Sequence, residues 1–105
     1  MLSNPEDQKL VTLAQATLKR SGAKQAAALR DSTGRTYVAV PVSSPSLSLD
    51  AIEAVFTVAM ASQITDIEAV VFTGDSTAKT AVITEFAPSA AIFFANDGAA
   101  PDKIA

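Results

Sequence analysis

An α/β layered domain is the fold this sequence predicts, with a mixed sheet of one antiparallel hairpin plus parallel strands and helices on both faces. Three observations predict it. Asp50 to Gln63 (DAIEAVFTVAMASQ) reads as one helix, apolar nearly all round, set just before the apolar strand Ile67 to Thr73. Strand-forming segments at 25–30 and 35–40 flank the turn signature Asp31-Ser32-Thr33-Gly34. Ala90 to Ala95 (AAIFFA) reads as a further buried strand. At 105 residues the chain is expected to form a single domain, 1–105, around one modest core.

Each element has its own signal. Asn4-Pro5 opens the first helix, with Asn4 as cap, Pro5 at its first position, and Glu6 and Asp7 at the positive end of its dipole. Leu10, Val11, Ala14 and Leu18 make its buried stripe, and Gly22 suits the left-handed position that ends it. Ala26-Ala27-Ala28-Leu29 prefers helix by propensity, but the turn beyond it and the strand-like RTYVAV at 35–40 favour a hairpin. Pro41 to Leu49 (PVSSPSLSL) is expected to be a loop.

Asp50 caps the central helix, and Glu53 stands at the spacing from which a carboxylate reaches back to the cap amide. Ile52, Val55, Phe56, Ala59 and Met60 form its apolar stripe, while Ala51, Ala54, Val58 and Ala61 fill most of the rest. So little polar face implies cover on two sides, one by the protein's own sheet and the other by a second subunit. Ile67 to Thr73 suits a strand covered on both faces. Lys79 to Phe86 is divided: its Thr, Val and Ile content favours strand, whereas a crossover to a parallel strand favours helix. Asn96-Asp97-Gly98 ends the last strand, and the final seven residues are expected to fray.

Composition narrows the chemistry. The net charge of −3 argues against a nucleic-acid partner. Five of the eight basic residues lie between Lys19 and Arg35, read as a solvated helix end and strand edge because no aromatics interleave with them. No apolar run reaches the roughly 18 residues of a membrane span, so no membrane partner is expected. The opening residues lack the pattern of a signal peptide, and without cysteine a cytoplasmic location is the default expectation. Having neither Cys nor His removes the usual zinc ligands, the thiol nucleophile and the imidazole base together.

The order α-β-β-α-β-(α)-β resembles the cytidine deaminase family over about Gly22 to Gly98. Four stretches carry the likeness: TGRTYVAVPV, AIEAVFTVAMASQ, IEAVVFTGD and ITEFAPSAAIFFANDG. The resemblance implies that family's three-layer fold. Its members hold zinc at two helix starts, where the ion activates water and a glutamate shuttles the proton. Here the first motif, Cys-Ala-Glu or His-Ala-Glu, falls on Ala51-Ile52-Glu53, so the ligand position is Ala51 and the glutamate position keeps Glu53. The second, Pro-Cys-x-x-Cys, falls on Asp75 to Lys79, with Ser76 and Lys79 in the ligand positions. The family's nucleoside-binding Asn-x-Glu falls on Pro41-Val42-Ser43, leaving Pro41 and Ser43 where substrate contacts would be.

No metal, no cofactor and no deaminase catalysis are therefore expected. Glu53 reads either as a remnant of the proton shuttle or as the third residue of a capped helix. Lys79 reads either as an ammonium replacing part of the dication's charge near Glu53 or Asp75, or as a surface lysine. A phosphate loop at Gly74 to Thr80 is disfavoured, because its spacing is one residue short, its second glycine is absent and Asp75 would repel phosphate. The resulting expectation is a non-catalytic, deaminase-like protein acting as a homo-oligomer, dimer or tetramer, or as a module for an unidentified protein partner. The alternatives are a nucleoside-binding protein and a zinc-independent hydrolase using Glu53 or Asp75 as base in the same cleft.

Overall fold

The computed structural model describes residues 4–96 and 101–105. Its elements run α1 (Pro5–Ser21), β1 (Gln25–Asp31), β2 (Thr36–Ala39), β3 (Val42–Ser43), β4 (Ser48–Leu49), α2 (Ala51–Ala61), β5 (Ile67–Gly74), α3 (Ala81–Phe86), β6 (Ala91–Ala95) and β7 (Asp102–Lys103). Five strands make the main sheet in the order β2-β1-β5-β6-β7, and β3 and β4 pair separately. Among the described residues only β5 and β6 run parallel; β1 pairs antiparallel with β2 and β5, and β6 antiparallel with β7. The sheet is mixed, with helices on both faces.

Strand alternation divides the core in two. Ala28, Ala69, Val71, Phe93 and Ala95 face α1, where Leu10, Val11 and Ala14 cover them. Ala27, Leu29, Val70, Phe72 and Ile92 face the other way, onto Ile52, Val55 and Ala59 of α2 and Ile83 of α3. All seven residues of β1 are buried. Burial on both faces explains why a helix-favouring alanine run folds as strand, since tertiary packing overrides a propensity of less than about 1 kcal/mol per residue.

Local chemistry sets the ends. The Asn4 side chain accepts from the Glu6 amide, and Gly22 ends α1 at φ 68°. Thr17 rather than Leu18 completes the buried stripe of α1, Leu18 being half-buried. Asp31 organises the hairpin turn: its Oδ1 accepts from the Thr33 amide, the Thr33 hydroxyl and the Arg35 amide. At α2, Asp50 Oδ1 accepts from the Glu53 amide at 2.8 Å and Glu53 Oε1 from the Asp50 amide at 3.0 Å, the reciprocal box the spacing implies.

Three further features depart from the sequence reading, and one undecided segment is resolved. The segment 41–49 is not a plain loop: Val42 pairs with Leu49 and Ser43 with Ser48 across a turn from Ser44 to Leu47, in which Pro45 presets the backbone. Lys79 to Phe86 resolves to a single short helix at Ala81–Phe86, because the crossover between parallel strands outweighs its β-branched content. Residues 101–105 are not frayed: Phe93 pairs with Lys103 and Phe94 with Asp102, so the tail satisfies backbone groups along the outer edge of β6. Asp97 and Gly98, named as the end of the last strand, lie outside the described residues. Arg30, assigned to a solvated edge, is instead 6% exposed and paired with Asp7 and Glu68.

Beyond the main sheet, α2 contacts β4 and the short α3, where Phe56 and Phe86 meet edge to face at 5.8 Å. Val58 and Met60 remain exposed at 43% and 37%. No helix among the described residues is long and apolar enough to cross a membrane.

Candidate functional site

A cleft of about 300 Å³ opens where the start of β1, the β3–β4 hairpin, the start of α2 and the segment 75–79 meet. Pro41, Ser43, Glu53 and Lys79 all line it, together with Asp50 and Asp75. Four of the six positions singled out in the sequence are thus cleft residues. Ala51 lies beneath, fully buried as the first residue of α2. Ser76 is exposed, between Asp75 and Thr77, whose carbonyls are drawn toward the start of α2.

One side chain draws them together. Gln25, the first residue of β1, is 2% exposed. Its Oε1 accepts from the Ala51 amide at 2.9 Å, and its Nε2 donates to the carbonyls of Asp75 at 2.7 Å and Thr77 at 2.9 Å. Close packing at Gly74 makes this possible. Gly74 takes φ 94°, and a Cβ there would run into the Lys24 carbonyl oxygen, which itself accepts from the Asp75 amide at 2.9 Å. Asp50 adds a further link, its Oδ2 accepting from the Lys79 amide at 2.6 Å.

The cleft carboxylates are already engaged with backbone. Asp50 holds the Glu53 and Lys79 amides, Glu53 holds the Asp50 amide, and Asp75 Oδ1 holds the Thr77 amide at 2.9 Å. Lys79 is exposed and makes no ion pair with Glu53 or Asp75 among the described residues, so no ammonium bridges the two segments. The segment 75–80 is not built as a phosphate loop: its Thr77 amide is taken by Asp75 and its Asp75 amide by the Lys24 carbonyl, and the helix beyond it has only six residues.

The residues present do not fit a zinc ion. Positions 51, 76 and 79 offer a methyl, a hydroxyl and an ammonium, and zinc is held by thiolate, imidazole or carboxylate. Among the described residues no three His, Cys, Asp or Glu side chains converge as a metal-holding group. Ser43, Thr77, Lys24 and Lys79 are among the residues at its lining, and groups of these types can hydrogen-bond a polar guest.

Gln25 is the site residue the sequence reading missed. Its signal is slight, a single long polar side chain opening a strand otherwise rich in alanine, with partners 26, 50 and 52 residues away.

A family model described as cytidine deaminase-like matches residues 3–99. The chain belongs to the cytidine deaminase-like family. No curated protein matches it in sequence.

Proposed function

We propose that this chain is a non-catalytic cytidine deaminase-like domain that serves as a self-associating scaffold or partner-binding module. The observation that carries the reading is the closed start of α2. Where the family resemblance puts ligands at 51, 76 and 79, this chain has no ligating group, and the Ala51 amide is held by Gln25 Oε1. Glu53 is engaged as the cap partner of Asp50. Self-association draws support from the low polarity of α2, which leaves Val58 and Met60 exposed rather than covered by the chain's own core.

Two measurements test this. Purified protein is expected to carry no stoichiometric zinc and to leave cytidine unchanged; zinc or turnover sinks the non-catalytic reading. Sedimentation is expected to show a dimer or tetramer at micromolar concentration, and a monomer there removes the scaffold. A second reading is favoured by the cleft itself, whose 300 Å³ is at the lower bound for small-molecule pockets. It would hold a nucleoside without converting it, and a rise in melting temperature on nucleoside addition distinguishes it from the first.

A further inference from the structure

The donor–acceptor pattern at Gln25 can be met by one side chain only. Its pocket presents one amide N–H, from Ala51, and two carbonyls, from Asp75 and Thr77. A carboxamide has two N–H donors and an acceptor oxygen, so it matches all three at once. A carboxylate of the same length would face two carbonyls with no proton to offer. A thioether of similar length would fill the volume and leave all three backbone groups unpaired.

The position matters as much as the chemistry. Gln25 joins the start of α2 to the segment after β5, and residues of both segments line the cleft. The link is a neutral side chain, and Gln25 is 2% exposed. Asp50 supplies the other bond between the same segments, from the solvent side.

We propose that Gln25 is the internal tie that fixes two lining segments of the cleft against one another, joining by a neutral amide what a bound ion would otherwise have to bring together. The inference rests on the non-catalytic reading only for that last comparison. The tie itself stands or falls on three hydrogen bonds, whereas the functional reading fails through zinc or turnover in the unaltered protein.

The test compares Gln25→Met, Gln25→Ala and Gln25→Glu by amide hydrogen exchange and by stability against pH. A tie predicts that Gln25→Met, which keeps the volume, speeds exchange of the Ala51 amide by about tenfold or more, because that amide loses its acceptor. Gln25→Ala is expected to do the same. For Gln25→Glu the deficit should shrink as pH falls. The carboxylate facing two carbonyls has a raised pKa, so acid supplies the proton that restores one donated bond. If Gln25→Met keeps the protection of Ala51 and the Gln25→Glu deficit is flat from about pH 8 to 5, the residue is a space-filler and the proposal is wrong. Should Gln25→Glu fail to fold, exchange in Gln25→Met decides the matter alone.

Discussion

Two buried polar residues stand at opposite ends of β1 and fasten it to its neighbours by different means. Gln25 points to the α2 face and ties backbone with a neutral amide whose donors are both used. Arg30 points to the α1 face and ties side chains with charge, its Nη2 to Asp7 and its Nε to Glu68, each at 2.8 Å. Burial opposes the charge on Arg30, yet the bonds from Glu68 and Asp7 and their negative charge raise its pKa, so it stays a cation. The arginine is the less complete of the two, because its Nη1 is buried with no partner among the described residues. A neutral group satisfied by main chain depends on no other side chain, whereas a buried cation depends on every acid around it.

Breaking each end should expose that contrast. Gln25→Met removes three bonds to backbone at about 1 kcal/mol each, so a loss of about 3 kcal/mol in chemical denaturation is expected. The loss should be independent of salt. Asp7→Ala leaves a buried guanidinium with one acid, and about 2 kcal/mol is expected, below the usual 3–5 for a broken buried pair because Glu68 remains. Glu68→Ala removes the half-exposed partner and should cost less than Asp7→Ala. If Glu68→Ala costs the more, the charge is satisfied from the sheet side rather than by α1.

The same contrast explains what could be read in advance. Asp50 and Glu53 lie three residues apart, and such a cap is written locally, so the start of α2 was legible from the sequence. The hairpin turn at Asp31 to Gly34 is local in the same way. Gln25 finds its partners on other elements, and Arg30 bonds across 23 and 38 residues, so one passed for an ordinary strand residue and the other for a surface base. β7 carries no apolar pattern at all; Asp102 and Lys103 form a strand because the outer edge of β6 needs partners. The cleft was legible only through the family resemblance, which aligned its walls without showing what joins them.

Asp50 is the point where local and long-range ties share one side chain. Asp50→Ala deletes the cap bond to Glu53 and the wall bond to Lys79, and a loss of about 1 kcal/mol is expected from the cap. Asp50→Ser keeps a capping oxygen but has no second one for Lys79. Faster exchange at the Lys79 amide, with the Glu53 amide still protected, would show the two roles to be separable. Equal loss at both would mean that the cap and the wall open as one unit.

The smallest effect concerns acid, at the same end of β1 as Arg30. Burial pushes the Asp31 carboxyl up, but the Thr33 hydroxyl, the amides of Arg35 and Thr33 and the charge of Arg35 together hold it below the usual range. A group with a lowered folded pKa contributes its full stability above the unfolded value, about 3.9, and loses it as pH falls through the folded value. Denaturation midpoints should therefore be level near neutrality and fall only below about pH 4. Asp31→Asn keeps an accepting oxygen for the turn but has no proton to take up, so its acid limb should be shallower than that of the unaltered chain. An equally steep limb in Asp31→Asn would show that the charge of this carboxyl does not set the acid sensitivity, and that the turn is held by its accepting oxygen alone.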